Sequence, residues 1–166
     1  MTRTMPMSTA PTIASPFALI ATDGRPYALS EHKGGPLVIS FFKTTCPTCM
    51  LTFPYLERLY QTYRAQGLTV WGISQDPLDD SLAFAADYGV TFPVLLDTTW
   101  DVSNAYGVDV VPTTFLLDRR GQIAFSFVSF SKDDINEMAR LIAAETQAPL
   151  TVIAPPDDGK PPFRPG

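Results

Sequence analysis

Leu37-Val38-Ile39-Ser40-Phe41-Phe42-Lys43-Thr44-Thr45-Cys46-Pro47-Thr48-Cys49 is the stretch on which the fold turns. Its first six residues form a short apolar run, as expected of a buried strand. From Thr48 to about Arg64, Met50, Phe53, Leu56, Leu59, Tyr60 and Tyr63 recur at helical spacing, which predicts an amphipathic helix whose aromatic stripe packs into the core. Cys46 and Cys49, the only cysteines of the chain, therefore stand three residues apart at a strand-to-helix junction.

That position has chemical consequences. The first turn of a helix leaves backbone N–H groups unpaired and carries partial positive charge. A thiolate placed there is stabilised, and its pKa falls from about 8.5 into a range of roughly 3.5–7.5. A three-residue step along the helix returns the second sulfur to the face of the first. Cys46 can attack, and Cys49 can close a disulfide; the pattern reads as a redox pair. A structural zinc site would need four ligands, whereas the chain offers two cysteines and one histidine, His32. A purely structural disulfide across so short a loop would restrict the unfolded chain little and is rare in a cytosolic protein. Two unrelated buried cysteines are the remaining alternative.

At 166 residues and 45% hydrophobic content the chain suits one domain with a proper core. A net charge of −5 and a pI near 4.7 argue against nucleic acid as a partner. No apolar run approaches the ~18 residues that span a bilayer. The segment Met1-Thr2-Arg3-Thr4-Met5-Pro6-Met7-Ser8-Thr9 lacks the apolar core of a secretory signal, so a cytoplasmic protein is expected if Met1 is the native start. An exported protein shorn of its leader would read the same.

Working outward, residues 1–15 are polar and proline-bearing and read as a flexible segment. Phe17 to Leu29 predicts a hairpin turning at Asp23-Gly24. His32 lies in the loop Ser30 to Pro36 among Glu31, Lys33 and Gly34-Gly35, a solvated connection rather than a site. Pro54 falls inside the first helix, and Gly67 closes it. Leu68 to Ser74 and Val94 to Leu96 predict strands, with helices at about Ser81 to Tyr88 and Val102 to Tyr106. Thr113–Leu117 and Gln122 to about Phe130 predict a hairpin across Asp118-Arg119-Arg120-Gly121. Asp133 to about Thr146 predicts a last helix capped by Ser131. The result is an α/β domain over residues 16–147 with a central mixed sheet flanked by helices and an N-terminal β-hairpin extension. Residues 148–166 are Pro-rich, with Pro155-Pro156 and Pro161-Pro162, and predict an extended tail of polyproline character.

Over roughly Phe17 to Thr146 the chain resembles the thioredoxin superfamily, in its TlpA-like (redoxin) thiol–disulfide oxidoreductase branch. The matching residues are Cys46-Pro47-Thr48-Cys49, Pro54, Ala105-Tyr106-Gly107-Val108, Val111-Pro112-Thr113-Thr114-Phe115-Leu116-Leu117-Asp118 and Gly121. The resemblance implies a cis Val111–Pro112 bond beside the disulfide, with the Val111 backbone pairing to the substrate chain. It implies a dithiol in which Cys46 attacks a substrate disulfide and Cys49 resolves the mixed disulfide. Pro47 and Thr48 join Val111 and Pro112 as expected substrate contacts. No cofactor or metal beyond the redox-active disulfide is implied. The partners are a disulfide-containing protein or small thiol and an upstream reductase.

Three positions depart from these relatives. Thr45 replaces a frequent Trp before the first cysteine, Ser40 a buried Asp, and Thr52 a Glu three residues after the second cysteine. Both proton acceptors of the family are thus missing, and Asp76, after the neighbouring strand, is only a distant candidate. A thiol peroxidase of the peroxiredoxin type would share the fold, but Lys43 stands where such proteins need Thr, and Pro112 where their active-site Arg falls. A copper or metal chaperone of this fold would space its cysteines more widely and take a His from late in the chain, whereas His32 precedes the motif.

Overall fold

The computed structural model describes residues 12–166, and the expectation for residues 1–11 lies outside the described part. A hairpin, β1 (Ala18–Ile20) and β2 (Pro26–Ala28), leads into β3 (Leu37–Phe42), α1 (Pro47–Tyr63) and β4 (Thr69–Ser74). Then come α2 (Leu78–Asp87), β5 (Val94–Leu96), α3 (Asp101–Ala105), β6 (Thr113–Leu117) and β7 (Ile123–Val128). The chain ends with β8 (Phe130–Ser131), α4 (Lys132–Thr146) and β9 (Phe163–Arg164). The central sheet has the order β5-β4-β3-β6-β7. β3, β4 and β5 run parallel, while β6 and β7 pair antiparallel. The expected mixed sheet and N-terminal hairpin are both present.

β3 is buried along its whole length because both faces of the sheet are covered. Val38 and Phe42 point toward the layer formed with α1, α2 and α4. Phe42 lies 4.3 Å from Phe53 and 4.7 Å from Phe84 between ring centroids. Each fully buried Phe contributes roughly 1.5–3 kcal/mol. Gly72 of β4 makes room for this cluster, since a Cβ there would stand 3.1 Å from Phe53 and 3.3 Å from Phe42. Leu37, Ile39 and Phe41 point the other way, where Trp71 carries the edges of Phe17 and Tyr27. His32 stacks edge-on against the same Trp71 and reaches the Gly35 carbonyl, a packed loop residue.

Three boundaries differ from expectation. α2 starts at Leu78 rather than Ser81, because Pro77 sets the entry and the Ser81 N–H and hydroxyl both donate to the Pro77 carbonyl. The strand expected to run to Phe130 is broken at Ser129, whose φ of 72° separates β7 from β8. α1 ends at Tyr63, and a 3-10 turn intervenes before Gly67, which takes φ 106°.

Both flanking segments are tied down where the structure describes them. Ile13 bridges Gln122, and the Ala14 N–H donates to Gly121. Residues 148–166 run back along α1 and α4, burying Ile153 and Ala154. Among the described residues no helix is long and apolar enough to cross a membrane.

Candidate active site

Cys46 is the N-cap of α1, with extended backbone at φ −90° and ψ 112°, and Pro47 occupies the first helical position. The sulfur does what a capping oxygen would do: it accepts the Cys49 backbone N–H at 3.1 Å. Pro47 has no N–H to contribute, so the donors that remain belong to Thr48 and Cys49. The Cys46 thiol is pulled down to about 6, first by a hydrogen bond with the Cys49 side chain and then by the Cys49 and Thr48 backbone. Partial burial opposes the shift, and the charge of Arg164 assists it. Upstream, the Asp76 carboxylate accepts the Thr44 N–H and hydroxyl, each at 2.7 Å, and so fixes the turn that delivers Cys46.

Cys49, one turn in, is fully buried. Desolvation is the largest cause pushing its thiol far up, and contact with Cys46 adds to it. The two positions where relatives carry a carboxylate hold hydroxyls already spent. Thr52 donates to the Thr48 carbonyl at 2.7 Å, and Ser40 pairs with Thr114 at 2.9 Å. Asp76 is engaged with Thr44, so the sequence candidate for a proton acceptor is a loop anchor.

The Val111–Pro112 bond is cis. The Val111 carbonyl lies 3.6 Å from the Cys46 sulfur, which donates to it as the thiol. Cys46, Cys49, Thr48, Pro112 and Val111 thus come together. Gly166 lies against the Val111 carbonyl, on the backbone expected to pair with a substrate chain. Thr48, buried, donates to the Pro165 carbonyl at 2.6 Å. Three neighbours escaped sequence reasoning. Trp100, in left-handed conformation, stacks on the Lys43 ammonium at 4.3 Å; Ser129 and Arg164 lie in segments with no motif.

Comparison with known proteins agrees with this geometry. Residues 8–126 match the model of the AhpC/TSA family. The thiol-disulfide oxidoreductase ResA of Geobacillus thermodenitrificans is 34% identical over 126 residues, covering 75% of this chain and 72% of that protein. The ResA of Bacillus subtilis is 35% identical over 108 residues, covering 64% and 60%. A crystal structure of a thiol:disulfide interchange protein of the thioredoxin family from Chlorobium tepidum superposes with a TM-score of 0.71 at 25% identity, covering 81% of this chain and 98% of that one. A dithiol at a strand-to-helix junction, carried on this sheet and matched by these relatives, leaves one conclusion: the chain belongs to the AhpC/TSA family, among the redoxins of the thioredoxin superfamily.

Proposed function

We propose that this thiol–disulfide oxidoreductase acts as a reductant of protein disulfides, with Cys46 as nucleophile and Cys49 as resolving thiol. The observation that carries the proposal is the asymmetry of the two sulfurs. Cys46 sits partly exposed, under N–H donors and at about 6, while Cys49 lies buried behind it. The Cys46 thiolate attacks one sulfur of a substrate disulfide, and the other leaves as a thiolate. Cys49 gives up its proton and attacks the Cys46 sulfur, releasing the second substrate thiol. Two electrons pass to the substrate, and the pair is left as the Cys46–Cys49 disulfide, the only redox group required. An upstream reductase must restore the dithiol.

The substrate backbone is expected to lie along Val111 and Pro112, against Pro47 and Thr48 at the helix start, which supports a protein or peptide substrate. A cytoplasmic location is part of this proposal, and fractionation of cells producing the protein tests it. The activity itself is tested by insulin reduction with a reducing system supplied, run beside peroxide consumption. Insulin turnover that requires both cysteines is expected. Peroxide turnover that survives loss of Cys49, with no insulin reduction, would overturn the proposal.

A further inference from the structure

The last residues of the described chain occupy the flank of the dithiol. β9 pairs antiparallel with β8, Phe130 opposite Arg164 and Ser131 opposite Phe163. The main chain on either side continues the contact. Lys132 N–H donates to the Pro162 carbonyl at 3.0 Å, Thr48 Oγ1 to the Pro165 carbonyl at 2.6 Å, and Gly166 N–H to Ser129 Oγ at 3.0 Å. Gly166 approaches so closely that a Cβ would collide with the Val111 carbonyl and the Val110 side chain.

The segment has two unequal parts. Its root is clamped: Lys132, almost wholly buried, donates to the Pro155 carbonyl at 2.8 Å, Asp158 at 2.6 Å and the Lys160 carbonyl at 3.0 Å. Asn136 exchanges two hydrogen bonds with Ala154, and Arg58 donates to the Ile153 carbonyl. The end differs. Residues 161–166 are all exposed, and they are held chiefly through main-chain hydrogen bonds, as a bound extended peptide is. Such an end can leave without unpacking the core, since it buries little apolar side chain.

We propose that Phe163–Gly166 is a resident competitor for a peptide groove formed by Thr48, Val111, Ser129 and β8, which an extended segment of the substrate protein must occupy in its place. This rests on the proposal that Cys46 attacks protein disulfides. The occupant and the substrate segment use the same donors and the same narrow approach to Val111, so they exclude each other. A small disulfide needs only the Cys46 sulfur and is indifferent to the groove. If the end is seated about nine-tenths of the time, the apparent KM for a protein substrate is raised about tenfold.

The test compares the whole chain with one ending at Pro162 and with Gly166→Val, which unseats the end and leaves the clamped root intact. Insulin reduction, reduction of 5,5′-dithiobis(2-nitrobenzoate), and Cys46 labelling by a polyethylene-glycol maleimide and by iodoacetamide are measured for each. Both variants are expected to lower the insulin KM roughly tenfold with kcat little changed. Bulky labelling speeds up, while iodoacetamide labelling near pH 6 slows, because the Arg164 charge has left Cys46. A synthetic peptide of the sequence Phe163 to Gly166 restores the higher KM to the shortened chain, as a competitive inhibitor. Faster bulky labelling in a protein that reduces no insulin would keep the resident occupant and overturn the reductase proposal. Equal KM and equal bulky labelling in all three proteins would overturn the competitor.

Discussion

The two sulfurs of the dithiol sit one helical turn apart and meet opposite environments. Cys46 lies at the helix edge with backbone N–H groups aimed at it, so its charged form is solvated by the protein. Cys49 lies in the core cluster that holds Phe42 and Phe53, where backbone groups favour its charge while burial and the first sulfur oppose it. The lesson is that one turn of helix separates the two halves of the reaction energetically. The thiol proposed to attack is charged near neutral pH, whereas the one proposed to resolve must lose a proton when it acts, and hydroxyls stand where relatives have carboxylates.

The largest effects come from erasing one side of this contrast. Cys46→Ser should abolish disulfide reduction altogether. Cys49→Ser should leave the first step intact and accumulate a mixed disulfide, visible by intact-mass spectrometry as a covalent adduct. Sustained turnover by Cys49→Ser would mean that a thiol outside the pair resolves the adduct.

Next in size is the missing base. Single-turnover resolution of the mixed disulfide should accelerate steeply between pH 6 and 9 in the unmodified protein. Thr52→Glu places a carboxyl one turn beyond Cys49 in a fully buried position, where desolvation raises its pKa toward neutrality. It should speed resolution about 10²-fold near pH 7. A flat wild-type profile in stopped-flow measurements would show that a base is already present.

Smaller effects probe each environment separately. Lys132→Met takes the ammonium from the Pro155 and Lys160 carbonyls and from Asp158, which keeps Tyr55 and the Lys160 N–H, and should cost about 2–3 kcal/mol in urea denaturation. By loosening the segment that carries Arg164 it should raise the Cys46 titration midpoint and leave Cys49 where it is. Ser40→Ala orphans the buried Thr114 hydroxyl and should cost about 1 kcal/mol. Its resolution rate should match the wild type, because Ser40 serves Thr114 rather than Cys49; a changed rate would reopen the question of proton transfer.

What could be read without the structure follows the range of the interactions involved. β3 and the turn into α1 are set by neighbours within one element: six consecutive apolar or small residues, then Cys46 and Pro47 at a helix start. That local grammar placed both cysteines and, by resemblance, Pro112. The region from Ala148 onward had no such grammar. Its prolines exclude helix and sheet periodicity, and its anchors are single long-range contacts, such as Lys132 and Tyr55 with Asp158 or Thr48 with Pro165. The Asp76 carboxylate was visible as a charge near the motif, yet its capture by Thr44 depends on how the loops after β3 and β4 meet. Ser129 shows the same limit, since a serine at positive φ carries no sequence signal.

The central claim is the inequality of the two thiols, and isotope-coded alkylation of the reduced protein across pH reads both at once. Cys46 should label with a midpoint near pH 6, and Cys49 should stay protected through pH 9. The same shift has a thermodynamic sign. Between about pH 6 and 9 the unfolded chain keeps a proton on Cys46 that the folded chain has released, so stability of the reduced protein rises with pH there and is lost as pH falls through 6. Cys46→Ser should remove that slope. Labelling of Cys49 ahead of Cys46, or a Cys46 midpoint near the ordinary thiol value of about 8.5, would contradict the assignment of nucleophile and resolving thiol.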